Sequence, residues 1–168
     1  MSPSTTGRRE SRNGHDSVVL ERTFHTPIET VWAAITEPGR LERWIGTWTG
    51  DPEFGSVEFR MTAEGDDVHP ETFTIEACEP PHRLALVSHV EGEQDSWHFL
   101  LELTEDAGTT TLTFSQSVPN AEMAASVGPG WEYYLDRLTA AETGGDVASI
   151  DFEDYYPAQA AHYRELFS

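Results

Sequence analysis

The chain predicts an α+β domain in which a curved, seven-stranded antiparallel sheet packs against a long helix near the C-terminus. Three observations predict it. Seven short runs between residues 17 and 117 alternate apolar and polar side chains and are separated by turn residues. Two short helical segments interrupt that series after the first run. Finally, Trp131, Tyr134, Leu135, Leu138 and Ala141 recur at helical spacing, so they share one bulky face, while Glu132, Asp136 and Thr139 lie away from it.

Residues 1–16 are polar and rich in Ser, Thr, Gly and Arg, which predicts a flexible tail, because too little apolar surface is available to offset the entropy of ordering. Ser17–Phe24 reads as the first strand, with Val18, Leu20 and Phe24 on one face. Arg22 falls on that same apolar side. A guanidinium there needs an acceptor, supplied either by a neighbouring carboxylate or by a molecule inside a pocket.

Thr26-Pro-Ile-Glu29 reads as a helix start, with Thr26 as cap and Pro27 in the first turn, and Ile28, Val31, Trp32 and Ile35 form the buried side. Glu37-Pro-Gly39 ends this helix, and a second short one covers Arg40–Trp44. The pair forms a support against which a strongly curved sheet can close.

Strands follow at Ile45–Gly50, Gly55–Thr62, Thr72–Cys78, Arg83–Val90, Asp95–Leu103 and Thr109–Ser117. Turns fall at Asp51-Pro-Glu-Phe54, Glu64-Gly-Asp-Asp67, Glu79-Pro-Pro-His82, Glu91-Gly-Glu-Gln94 and Glu105-Asp-Ala-Gly108. The bulky faces are Val57, Phe59 and Met61; Phe73, Ile75 and Ala77; Leu84, Leu86 and Ser88; Trp97, Phe99, Leu101 and Leu103; Leu112 and Phe114. The opposite faces are polar, as in a sheet wetted on one side.

Pro119-Asn-Ala-Glu122 starts a short helical segment that Gly128-Pro-Gly130 interrupts, and the main helix then runs to about Glu142. Residues 143–168 form a helical extension packed on the domain. Its helix covers Asp154–Phe167, with Tyr156, Ala160, Tyr163 and Phe167 as a stripe that docks beside Tyr133.

At 168 residues, one domain buries roughly 70% of the surface its unfolded chain exposes, so neither metal nor disulfide is needed to hold it. Acidic residues number 30 against 10 basic ones, all Arg, for a net charge of −20. Such a surface repels phosphate backbones and anionic lipid, so neither nucleic acid nor a membrane surface is an expected partner. Cys78 is the only cysteine, which excludes a disulfide scaffold. No apolar stretch long enough for a secretory leader or a membrane span is present, so a cytoplasmic location is expected.

Phe24-His-Thr-Pro-Ile-Glu-Thr-Val-Trp32, Glu37-Pro-Gly-Arg-Leu-Glu-Arg-Trp44 and Gly130-Trp-Glu-Tyr-Tyr-Leu-Asp-Arg-Leu138, in this order of elements, resemble the heat-shock ATPase activator homologue family. That family belongs to the START-like (SRPBCC), birch-pollen-allergen type superfamily of helix-grip domains. The resemblance covers residues 17–142 and implies a seven-stranded sheet wrapped around the long helix, with an apolar cavity between them. It does not imply one reaction, because members of the superfamily carry lipids, cyclise polyketides, bind plant hormones or protect against toxic natural products. Stimulation of a chaperone ATPase is not expected either: the eukaryotic activator works with an additional N-terminal domain, for which this chain has no room.

Nucleophile-elbow, zinc-protease, Cys-pair and phosphate-loop signatures are missing, and no cofactor or metal is expected. The His residues are scattered; His89 and His98 can approach across adjacent strands, on the face opposite the bulky set. Paired acids such as Asp66-Asp67 and Glu153-Asp154 sit in turns or at a helix start.

What remains is a cavity bounded by Phe59, Phe73, Leu86, Trp97, Phe99, Phe114, Trp131, Tyr134 and Leu138, with Trp44 near its mouth. Arg22, Ser88 and the Tyr134 hydroxyl are its polar handles. The expected role is binding of a small hydrophobic, ring-containing molecule without catalysis. Two alternatives stand beside it: a cyclase-like or hydrolase-like enzyme in which Arg22 polarises a carbonyl and Tyr134 assists proton transfer, and a protein-interaction module, with a homodimer as its simplest form.

Overall fold

The alternating run that starts the domain continues further towards the N-terminus than its composition suggests. The computed structural model describes residues 4–12, 14–64, 70–89 and 96–168. In it a first strand, β1 (Arg8–Arg12), pairs antiparallel with β2 (His15–Phe24), Arg8 opposite Val19 and Arg12 opposite His15. This corrects the flexible tail. The segment orders through side-chain and backbone partners: Arg9 pairs with Asp16, Arg12 with Glu102, and the Thr6 and Gly7 amides donate to the Glu132 carboxylate. Apolar content alone does not register such partners.

After β2 the chain forms α1 (Ile28–Thr36) and α2 (Pro38–Leu41). Thr26 is not the cap. Pro27 occupies that position and brings no side-chain acceptor, and the Glu105 carboxylate, from the far end of a β-hairpin, accepts from the Ile28 amide at 2.9 Å. An acid at the positive end of the helix does the same electrostatic work from a distant part of the chain. α2 begins at Pro38, two residues before the position read from the sequence, because proline fits the first helical turn.

The remaining strands are β3 (Thr47–Thr49), β4 (Ser56–Arg60), β5 (Glu71–Glu79), β6 (Arg83–His89), β7 (Ser96–Asp106) and β8 (Thr109–Ser117). One antiparallel sheet results, in the order β1-β2-β8-β7-β6-β5-β4-β3. Among the described residues it has eight strands where the sequence predicts seven, the addition being β1, and its ends do not meet. The β7–β8 hairpin is tighter than predicted, turning at Ala107 and Gly108, both with positive φ (51° and 81°), as a two-residue hairpin turn with the sheet's twist requires. The turn at residues 64–67 beyond Glu64, the turn at 91–94, and the approach of His89 to His98 fall outside what is described.

A register shift between Ile75 and Ala77 swaps the two faces of β5. Beyond it Cys78 lies opposite Leu84 and joins the inner face, and Ala77, predicted to point inward, points outward beside Ala85.

The long helix, α3 (Ala121–Thr143), is continuous. Gly128-Pro-Gly130 does not interrupt it. The Asn120 side chain caps its start by accepting from the Met123 amide, and packing on both sides outweighs the one backbone bond that Pro129 forfeits. Gly128 is required for a different reason, since a Cβ there would lie 2.3 Å from the Tyr163 ring. The terminal helix, α4 (Ala160–Leu166), is shorter than predicted, with turns over residues 155–159 before it. Ala160, Tyr163 and Phe167 are buried as the stripe predicts; Tyr156 is exposed, and Phe152 and Tyr155 take its place against Tyr133.

The inner face of the sheet, α1, α2 and α3 enclose one core, in which Val18, Leu20, Phe24, Val31, Leu112, Leu135 and Leu138 are fully or almost fully buried. No helix among the described residues is long and apolar enough to cross a membrane.

Candidate ligand cavity

α3 lies across the inside of the curved sheet without filling it. Between them a cavity of about 460 Å³ remains, bordered by β3 to β8, the α1–α2 corner and one flank of α3. That volume falls within the ~300–1,000 Å³ typical of small-molecule sites. The exposed side chains Pro52 and Ser126 mark its rim, between the edge of the sheet and the first half of α3.

The wall is aromatic and tiled. Phe59, Phe73 and Phe99 succeed one another with ring centres 5.5 Å apart, and Phe114 lies 4.0 Å from Trp131, which in turn meets Phe99 and Tyr134. The rings therefore hold one another in place and leave the hollow open, since edge-on and tilted contacts keep each from collapsing inward. Leu86 and Trp97 complete the floor.

Of the residues predicted to form the site, Phe59, Phe73, Leu86, Ser88, Trp97, Phe99, Phe114, Trp131, Tyr134 and Trp44 border the cavity. Trp44 is not at the mouth. It is 3% exposed at the α1–α2 end, its indole N–H donating to the Ala34 carbonyl at 3.0 Å. Leu138 does not border the hollow, because one further helical turn carries it past Tyr134 and Leu135 into the solid core.

Arg22 is the larger correction. It faces inward, opposite Leu112, but meets the other flank of α3. There its Nη2 donates to Glu132 Oε1 at 2.9 Å and its Nε to Asp136 Oδ1 at 3.1 Å. Asp136 also accepts from the Tyr155 hydroxyl at 2.6 Å, and Glu132, 1% exposed, accepts from Thr6 and from the Tyr163 hydroxyl at 2.5 Å. Burial by itself raises the Glu132 carboxyl, but the hydrogen bonds from Thr6, Tyr163 and Arg22 outweigh it and hold the group below the ordinary carboxylate range. Burial pushes the Tyr163 hydroxyl well up, and the Glu132 carboxylate beside it pushes the same way. The guanidinium is thereby committed to protein partners.

Two polar groups of the cavity differ in how they are satisfied. Ser88 is fully buried, between Phe73 on β5 and Trp97 on β7, and among the described residues its hydroxyl has no partner. Gln116, 7% exposed, was missed from the sequence. It follows Leu112 and Phe114 on the inner face of β8, and its Oε1 accepts from the Trp131 indole at 2.5 Å. The signal was present in the alternation itself, a carboxamide at the next inward position after two large apolar side chains. Among the described residues no group of three His, Cys, Asp or Glu side chains is placed to share a metal. His98 stacks on His15 with ring centres 4.1 Å apart, on the outer face of the sheet.

A curved antiparallel sheet, a helix gripped inside it and an apolar hollow between the two define the START-like helix-grip class. The chain belongs to the activator of Hsp90 ATPase homolog 1-like family, whose pattern matches residues 25–142. Among solved structures it is similar to CalU16 from Micromonospora echinospora, with 26% identity, 97% of this chain and 96% of that one covered, and a TM-score of 0.72. It is also similar to DynU16, a protein of the dynemicin biosynthetic locus, at 27% identity and a TM-score of 0.65, over 78% of this chain and 49% of that one. A protein of unknown function from Enterococcus faecalis shares the fold at 23% identity and a TM-score of 0.69, over 95% and 88% of the two chains. No curated protein matches the chain.

Proposed function

We propose that the protein binds a small, apolar, ring-containing molecule in the cavity between sheet and α3, and that it holds this molecule without transforming it. The observation that carries the reading is the hollow itself: about 460 Å³ bounded by aromatic rings, with a fully buried hydroxyl at Ser88 that lacks a partner among the described residues. A folded chain with no use for the space gains by filling it, because each missing contact and each unsatisfied polar group costs stability.

The commitment of Arg22 to Glu132 and Asp136 favours binding over catalysis, since it removes the group that would polarise a carbonyl in a cyclase-like or hydrolase-like mechanism. Among the described residues, the large apolar side chains left exposed are Phe54, Phe152 and Tyr156, which gives a protein-interaction role no broad apolar face to work with.

The test is a titration with fluorene, followed through the fluorescence of the wall tryptophans. Saturable quenching is expected, and Leu86→Trp, which puts an indole into the floor, should weaken it by at least about tenfold while the chain stays folded. Equal affinity of the filled and unfilled proteins contradicts the proposal.

A further inference from the structure

Gln116 and Ser88, two of the polar residues that line the cavity beside Thr36, Glu71, Ser126 and Tyr134, specify more than an apolar guest. An indole N–H is a donor and nothing else, so its contact with Gln116 fixes the carboxamide oxygen against Trp131 and turns the amide nitrogen away from it. The oxygen is occupied. Among the described residues the nitrogen has no partner of its own, and it presents N–H donors only. A group that meets it must be an acceptor.

Ser88 is less restrictive. Its hydroxyl can donate or accept, and it is buried with no partner among the described residues. The register places the two groups on one face, Ser88 opposite Trp97 and Gln116 opposite Phe99, with β7 between them. Standard sheet spacings put their backbones about 12 Å apart, so two polar contacts separated by a tiled aromatic wall face the same hollow.

We infer that the ligand is a flat polycyclic aromatic molecule bearing a carbonyl oxygen, which accepts from the Gln116 amide, and a second oxygen substituent, which bonds to Ser88. This rests on the reading of the cavity as a ligand site and narrows its guest to aromatic ketones and quinone-like molecules with a ring hydroxyl or a second carbonyl. A plain hydrocarbon of the same shape leaves both groups unsatisfied in an apolar enclosure, and a site built to hydrogen-bond an oxygen discriminates against the analogue that lacks it.

Three probes of one shape test it: fluorene, 9-fluorenone and 2-hydroxy-9-fluorenone, titrated into the wild-type protein, Gln116→Leu and Ser88→Ala. In the wild type 9-fluorenone should bind about tenfold more tightly than fluorene, and the hydroxylated ketone several-fold more tightly again. Gln116→Leu should remove the first step and Ser88→Ala the second, each read as the affinity ratio between two probes within one variant, so that a change of the wall common to all three probes cancels. Equal binding of fluorene and 9-fluorenone to the wild type overturns the inference and leaves the cavity reading standing. A preference for the ketone that survives Gln116→Leu overturns it too, and failure of all three probes to bind overturns both.

Discussion

On one flank of α3, Glu132 and Asp136 meet Arg22, Thr6, Tyr155 and Tyr163, and each buried polar atom of that cluster is answered by another at hydrogen-bond distance. On the other flank, Trp131, Tyr134 and Leu135 look into a hollow in which Ser88 is buried with its hydroxyl unanswered. The two flanks lie side by side on one helix and obey the same physics. The first is a cluster of buried polarity satisfied from within the chain. The second leaves an aromatic-lined hollow open beside it.

The charged flank should give the largest mutational effect. Glu132→Ala leaves the Arg22 guanidinium buried without its main partner and frees Thr6 and Tyr163, at an expected cost of about 3–5 kcal/mol in urea unfolding. Affinity for an aromatic probe should change far less, since none of these groups borders the cavity. Gly128→Ala comes next. Its helix propensity favours alanine by about 1 kcal/mol, but the new Cβ lies 2.3 Å from the base of the Tyr163 ring, so a net loss of about 1–3 kcal/mol is expected in the same assay.

Ser88→Ala sharpens the contrast by reversing the sign. Deleting an unsatisfied buried hydroxyl should raise the stability of the ligand-free protein by about 1 kcal/mol, whereas deleting any hydroxyl of the charged flank lowers it.

The pH dependence divides the same way. The folded Glu132 carboxyl titrates below its unfolded value, so its contribution is complete above the ordinary carboxylate range and is lost as pH falls through the lowered value. Tyr155 and Tyr163 are raised, by burial first and by their carboxylate partners next, so their contribution is complete below the ordinary tyrosine value, about 10, and fades as pH rises beyond it. Urea midpoints should decline in both directions from neutrality, and Glu132→Gln should flatten the acid side. An acid limb unchanged by that substitution would place its cause elsewhere.

Much of this architecture was legible in the residues. Alternation located seven of the eight strands and, within a residue or two, most of their ends, because an inner face of Phe, Leu and Trp against polar neighbours has a single sensible register. The aromatic wall was legible for the same reason. Arg22 was not, since alternation tells which face of a strand a side chain takes and not which flank of a helix it then meets. β1 was missed because its partners are charges and backbone amides, and the unbroken α3 because a Pro between two Gly carries the local signature of an ending while its tertiary neighbours decide otherwise. Gln116 needed only that the alternation on β8 be followed one step further.

The difference between the flanks is tested most directly by amide and indole NMR shifts during titration with 9-fluorenone. Displacements should be confined to the cavity side, the Trp97 and Trp131 indoles and the backbone of Val127 and Leu86, with Thr6, Gly7 and Glu132 unmoved. Shifts centred on the Glu132 cluster, or none at the two indoles as the probe saturates, would contradict the assignment of the hollow as the site.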